Sequence, residues 1–486
     1  MLRNKIFPFV TLITLCIALA EFSFAISNPD LVLSGEITRA DFQKYKLLPF
    51  NVPAGTRRVT VDFAYDTRER KTTVDLGLFD THGLRGWSGG NKSTFTVSDV
   101  DATASYAPGL IEPGEWRLVL GVPNIREGVT AHYTARIFFS KSLDSQPPTV
   151  SGTRRWYKGD LHMHTGNSDG YCKNGAGESA PCPLYKTAEA ARVRGLDFIS
   201  ITDHNTIAHH NDLARLQAHF APMLLIPGRE ITTFFGHANL FGTSEWLDFR
   251  TVDPAQSRNL VLANAGKLNG VLSVNHPAAP SGEICMGCGW VEPKQTNWNN
   301  VQAIEVINGP EVESQFSGIP YWEKLLNQGH RITAVGGSDN HQADIPADQP
   351  RAIGSPTTMV YAEALSTSAI LNALRAGRVY IKTQGPDGPD VEFSAECNSR
   401  HFDMGDVILE RSAAVQFSIS VASKMPVTAE IVRDGKVEKL ELKNGTADYP
   451  LVNDGQRHWI RVNVRDKDGK LIALTNPIYL NFGRAE

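Results

Sequence analysis

Apolar and polar residues alternate one by one in the first part of the chain. The runs 58–65, 74–79, 116–122 and 133–139 follow this period of two, with Gly and Pro between them. Successive side chains of a strand point to opposite faces, so the pattern predicts an antiparallel β-sandwich over residues 26–145. A linker follows at 141–152, marked by Pro147-Pro148. Between 155 and 385 the pattern changes. The runs 197–202, 223–226, 270–274, 303–307 and 331–335 are largely apolar, and helical stretches such as 184–194 lie among them. Strands alternating with helices predict an α/β domain built as a parallel β/α barrel. Beyond 390 the period of two returns at 414–421, 427–432 and 458–464, with Asp-Gly turns at Asp434-Gly435 and Asp468-Gly469. A C-terminal β-sandwich is expected over 390–486.

The N-terminus adds an address. Arg3 and Lys5 precede an apolar run from Ile6 to Ala20, and small residues surround Phe24 at Ser23 and Ala25. This predicts a signal peptide over 1–25 and a secreted or periplasmic protein, with an uncleaved anchor as the alternative. No later stretch is apolar for long enough to predict a membrane span. Charged residues make up 21% of the 486 residues and the net charge is −4, so no basic surplus points to duplex nucleic acid. A small charged ligand remains open, and no feature marks a partner protein. Export also favours disulfides. Cys172 and Cys182 bracket a Gly-rich insert, and Cys285 and Cys288 form a single CxxC, which falls short of a structural zinc site. Local pairs are expected, with pairing between the two loops as the alternative. Cys397 is left over, and Cys16 lies in the leader.

Polar residues gather just past the ends of the central strands. His162 and His164 are two apart and share a face. Asp203, His204 and Asn205 follow the run 197–202. Arg229 and Glu230 follow 223–226, with His237 close behind. His276 ends another strand, and Asp339 and His341 end a later one. A lone HxH is a weak signal, but six of the 14 histidines fall at such ends. Imidazoles and carboxylates converging there suit borderline divalent cations. Asp203 is expected either to orient a ligand imidazole or to cap a helix, and Asn205 to reach substrate or to cap. Glu305 and Asn308 fit a site-lining or a structural role equally, whereas His209 and His210 read as solvated surface residues.

The order HxH, Ser168-Asp169-Gly170, Thr202-Asp203-His204-Asn205, Glu230 with Gly236-His237, Asn275-His276-Pro277 and Ser338-Asp339-Asn340-His341 resembles the PHP (polymerase and histidinol phosphatase) superfamily, in particular its exported carbaryl-hydrolase-like branch. The resemblance covers about 155 to 385. It implies a distorted (β/α)7 PHP barrel holding two or three divalent ions, Mn, Fe or Zn. It further implies one position formed by His162, His164, Glu230 and Asp339. A second would share Glu230 and add His237 and His276, and a third would use Asp169, His204 and His341. Asp169 departs from family members that carry His there.

Clustered cations lower the pKa of a bridging water and neutralise substrate oxygens. The expected activity is therefore hydrolysis of a small-molecule ester by metal-bound hydroxide, and the resemblance implies a phosphomono- or phosphodiester first. A carboxylic ester or carbamate is the alternative. Arg229 and Arg351 are the candidate substrate cations by position. A non-catalytic, metal-stabilised binding protein is the reading from a different class, and a serine hydrolase is disfavoured because no G-x-S-x-G elbow occurs.

Overall fold

The computed structural model describes residues 28–144, 149–250, 254–285, 287–291 and 296–483, with the backbone alone for 254–257. The expected leader, 1–25, lies outside them. Two four-stranded antiparallel sheets form the N-terminal part. One has the order Leu31–Ile37, Ala131–Ser140, Arg58–Tyr65, Thr94–Ser98 and the other Tyr45–Val52, Gly114–Asn124, Thr73–Phe79, Leu84–Gly89. In Arg58–Tyr65 the residues Val59, Val61 and Phe63 are buried while Arg58, Thr60 and Asp62 are partly exposed. They share a core with Leu76, Leu78, Trp116, Leu118 and Leu120.

Among the described residues the (β/α)7 barrel expected over 155–385 is not seen. Strands make up 42% of those residues and helix 13%, too little for one helix per strand. Among the described residues there are five α-helices: Leu184–Val193, His210–Phe220, Pro254–Gly266, Ile319–Asn327 and Thr367–Arg375. The central strands lie in one mixed sheet of order Thr333–Gly337, Ala303–Asn308, Val271–Val274, Gly236–Phe241, Leu224–Thr233, Phe198–Ile201, Arg155–Asp160, Thr357–Ala362, Val379–Lys382. Two of these run against their neighbours. Gly236–Phe241 turns straight back from Leu224–Thr233 with only Phe234 and Phe235 between them, which leaves no room for a crossover helix. Thr357–Ala362 is antiparallel to the strands on both its sides.

Nor does this sheet end with the central region. Val379–Lys382 pairs with Leu471–Thr475, and the sheet continues through His458–Asp466, Val427–Arg433 and Lys436–Leu440. The C-terminal part therefore shares its larger sheet with the central part. A separate sheet of Arg400–Asp403, Asp390–Cys397, Ala414–Ala422 and Thr446–Val452 completes it. Met359 and Tyr380 pack in one core with Phe393, Phe417 and Val462. Cys172 is paired with Cys182 and Cys285 with Cys288, and Cys397 is free and buried. Among the described residues no helix is long and apolar enough to cross a membrane.

Side chains satisfy the outer edge of Thr333–Gly337. Asn476 accepts from the Ala334 N–H at 2.7 Å, and its amide donates to the carbonyls of Ala334 at 2.9 Å and Val379 at 3.0 Å. The Thr358 hydroxyl accepts from the Gly336 N–H at 2.9 Å and donates to the Gly336 carbonyl at 2.7 Å. Buried backbone groups need partners, and here two side chains stand in for a strand. Asn476→Ala would leave the Ala334 N–H and carbonyl without these bonds. A loss of about 2–4 kcal/mol is expected in urea unfolding. A loss under about 0.5 kcal/mol, within the range of an ordinary surface substitution, would count against this role.

Candidate metal centre

Arg155–Asp160 and the residues just past its end deliver three polar side chains at alternate positions: Asp160, His162 and His164. Asp160 is wholly buried and accepts backbone N–H groups from His162 at 3.2 Å, Ser338 at 3.1 Å and Gly354 at 2.7 Å. It thereby ties the segment carrying His162 to the one carrying Asp339. His162 Nδ1 donates to Glu305 Oε1 at 2.9 Å. That bond turns Nε2 inward, 3.3 Å from Asp339 Oδ1 and 3.5 Å from Glu230 Oε1. His164 Nε2 lies 3.2 Å from the same Asp339 oxygen and 3.6 Å from Glu230 Oε2.

Glu230 is the centre of the arrangement and only 1% exposed. Besides His162 and His164, it faces His204 Nδ1 at 3.0 Å, His237 Nδ1 at 3.3 Å and His276 Nε2 at 3.4 Å. Asn275 donates to its Oε1 at 2.8 Å. The hairpin from Leu224–Thr233 to Gly236–Phe241 pairs Thr232 with His237, which sets the register that brings His237 to Glu230. The ring of His276 is held by donation from Nδ1 to the Cys288 carbonyl at 3.1 Å, which leaves Nε2 for the site. Around this group lies a more exposed one. His341 donates from Nδ1 to the Asp339 carbonyl at 3.0 Å, and its Nε2 is 3.4 Å from Asp169 Oδ2. His204 Nε2 is 3.6 Å from the same oxygen.

All nine sequence-derived ligand residues thus meet in one place. Ligand atoms converge within 4.8 Å in four groups: His162, His164 and Glu230; His204, Glu230 and His237; His164, Asp169, His204 and His341; and His162, His276 and Glu305. Any of these buried or half-buried groups could hold a metal ion. The partition differs from the expected one in four ways: His204 rather than His276 joins Glu230 and His237, Asp339 lies in none of the four groups although it stands 3.2–3.3 Å from the rings of His162 and His164, and two residues take added places. His164 also joins the Asp169 group, and Glu305 stands beside His162 and His276.

The electrostatics suit a cation. Burial works to raise the Glu230 carboxyl, but His162 above all, with His204 and His237, holds it well below the usual carboxylate range. Burial works against charge on His204, and Asp169 and Glu230 outweigh it, raising the imidazole to about 10. His162 is likewise raised despite burial, by Glu305, Asp339 and Glu230. Without an ion, protons on rings such as His162 and His204 balance the carboxylates, whereas burial lowers His164. With one, neutral imidazoles serve as ligands instead. Moreover, His162 Nε2, His164 Nδ1 and His237 Nε2 are buried without hydrogen-bond partners, which is unusual for polar atoms unless something else binds them. Four non-glycine residues around the site have left-handed backbones: Asn205 (φ 52°), His276 (φ 25°), Asp339 (φ 50°) and Arg351 (φ 62°). Each costs on the order of 1 kcal/mol, and such strain gathers at functional sites.

Several expected roles are corrected. Arg229 follows the strand's alternation: Glu230 points into the site, so Arg229 points away. It is buried, donates to the Glu245 carbonyl and lies near Asp144. Arg351 does reach the site, where Nη1 donates to Asp339 Oδ2 at 3.1 Å and Asn308 Oδ1 at 2.8 Å. Asp203 neither orients a ligand ring nor caps a helix. It accepts from the backbone and hydroxyl of Thr165, both at 2.7 Å, and from Ser168 at 2.6 Å, holding the loop between His164 and Asp169. Asn205 bonds both backbone groups of Thr232 and so anchors the neighbouring strand. His209 and His210 are buried and both donate to the Gly228 carbonyl. Glu305 and Asn308 are site residues: Asn308 donates to Glu305 at 3.0 Å, and the His276 N–H does so at 2.9 Å. Sequence reasoning missed Asp160 and Asn275. The signal for Asp160 was its place two before His162, and Asn275 directly precedes a candidate ligand.

No protein-family model matches the chain, and no curated protein matches it. Among solved structures, the CspB protease of Clostridium perfringens is similar at 13% identity over 22% of this chain and 25% of that one, with a TM-score of 0.16. The chain spans about a quarter of that protease's length. A Bacteroides uniformis β-glucuronidase is similar at 8% identity over 90% of this chain and 74% of the other, with a TM-score of 0.19. At such scores neither likeness bears on fold or chemistry.

The contact between Glu305 and His162 gives a direct test. Glu305→Ala removes the acceptor that aims Nε2 inward, and metal affinity should fall about 10–100-fold in a competition titration with a chromophoric chelator. Unchanged affinity would show that His162 needs no such support.

Proposed function

We propose that this chain is an exported metal-dependent hydrolase of phosphoesters. The observation that carries the reading is the Glu230 carboxylate, buried and facing five imidazoles within 3.6 Å. Divalent ions such as Mn, Fe or Zn, two or three in number, would supply Lewis acidity and an acidified water. Glu230 would bridge positions within the buried group, with His162, His164, His237, His276 and Asp339 beside it. Asp169, His204 and His341 would form the outer position. Glu305, the Cys288 carbonyl and the Asp339 carbonyl keep the rings of His162, His276 and His341 turned to the site. Arg351, anchored on Asp339 and Asn308, would offer its guanidinium to an anionic substrate oxygen. The motif order that resembles the PHP superfamily supports the same chemistry, although the sheet departs from that family's barrel.

A second reading, hydrolysis of a carboxylic ester or carbamate, draws on two observations. Arg229 faces away, and Arg351 is already paired with Asp339, so the cationic surface offered to a dianion is small. Phe234, 78% exposed at the hairpin tip before His237, offers apolar contact to an organic leaving group.

Elemental analysis of the purified protein should find more than one equivalent of Mn, Fe or Zn per chain; one or none would remove the cluster. His276→Ala and Asp339→Ala should each abolish turnover of a chromogenic phosphodiester while circular dichroism stays unchanged. Retained turnover in either would reject the site. A panel of phosphomonoesters, phosphodiesters, carboxylic esters and carbamates separates the two readings, and activity on carbamates or carboxylic esters alone would overturn the first.

A further inference from the structure

The insert closed by Cys172 and Cys182 is not a remote decoration. Tyr171–Lys173 and Ser179–Pro181 form a small hairpin, and the disulfide closes its base. Cys182 spans the loop that carries Asp169. Its carbonyl accepts from the Gly166 N–H at 2.7 Å, and its N–H donates to the Gly170 carbonyl at 3.0 Å. The fit is close: a Cβ on Gly166 would lie 2.8 Å from the Cys182 nitrogen, and one on Gly170 2.6 Å from the His164 carbonyl. On the other arm, Tyr171, next to Cys172, donates its N–H to the His341 carbonyl at 2.7 Å. Lys173 donates to Asp344 Oδ2 at 2.7 Å. One arm of the disulfide thus grips the Asp169 loop and the other grips His341. Asp169 itself has few other restraints among the described residues: its side chain is 55% exposed and meets Ser168 and the imidazoles of His164, His204 and His341. Cys172 and Cys182 are both buried, and among the described residues the buried Glu230 group makes no hydrogen bond to the hairpin.

We propose that the Cys172–Cys182 disulfide is a positioning element of the outer metal position, so that Asp169, His204 and His341 bind an ion only when the bond is closed. Filling of the Glu230 group does not depend on it. The inference rests on the metal reading above and adds to it a dependence on thiol oxidation. Closing the bond takes two electrons and two protons from the two thiols, and an external disulfide oxidant receives them. Opening by a phosphine reverses this: phosphorus takes the oxygen of one water, and the two sulfurs take its hydrogens.

The test is metal content and affinity with Mn(II) as the probe. Wild type, the Cys172→Ser/Cys182→Ser double variant and Asp169→Ala are dialysed against graded Mn(II), and bound metal is read by mass spectrometry. The double variant should bind one ion fewer, or bind that ion about 10–100-fold more weakly, matching Asp169→Ala, with the remaining ions held as in wild type. If the double variant does not fold, metal-loaded wild type is opened with a phosphine. Peptide mapping locates the free thiols, and release of one ion in step with opening at Cys172 and Cys182, with rebinding after reoxidation, is expected. Wild-type stoichiometry and affinity in the variant, or no release on opening, overturns the proposal and leaves the metal reading standing. A wild type that fills only the Glu230 group overturns it too, and a wild type that binds no ion removes both.

Discussion

A carboxylate taken out of water costs several kcal/mol unless its charge is met. Glu230 is buried, and five imidazoles and one amide meet it. Its neighbours come from four other segments of chain, and each must arrive for the charge to be balanced. The strand end Leu224–Thr233 presents Glu230, the return strand presents His237, and the ends of Arg155–Asp160, Phe198–Ile201 and Val271–Val274 present the rest. The cluster is therefore both a chemical centre and a constraint on how these strand ends are assembled.

The rings are aimed rather than merely gathered. An imidazole has two nitrogens, and fastening one decides what the other can do. His162 is fastened by Glu305, His276 by the Cys288 carbonyl and His341 by the Asp339 carbonyl. In each case the free nitrogen faces a carboxylate. Asp203 and Asp160 work one step further out, holding the backbone from which these rings project. The buried polar groups form a connected set reaching from Arg351 through Asn308 and Glu305 to His162.

Behind the site, the sheet that carries the ligands runs on into the C-terminal strands. Asn476, which precedes the strand Ile478–Leu480, closes the edge of Thr333–Gly337, the strand that leads to Asp339. The C-terminal part thus supports the site from the rear. That accounts for a core in which Tyr380 and Phe417 pack together.

Much of the site was legible in the sequence, because alternate residues of a strand share a face in any topology. The spacing picked out His162 with His164 and Asp339 with His341, although all four lie just past their strands and Asp339 has a left-handed backbone, and Arg229 could have been set aside by the alternation applied against Glu230. The topology was not legible. A buried strand reads alike whether its neighbour is parallel or antiparallel, so Gly236–Phe241 and Thr357–Ala362 left no sign of their direction. Pairing of Val379–Lys382 with Leu471–Thr475 joins segments far apart in the chain, and ladder bonds between backbones leave no trace in side-chain pattern. The surface reading of His209 and His210 failed for a related reason: both donate to a single carbonyl, Gly228, that only the assembled sheet brings to them. Residue type and local spacing determined which groups could bind an ion, since chemistry and strand geometry are local. Tertiary structure decided which of them meet, how each ring is turned and what encloses them, since those depend on hydrogen bonds between distant segments.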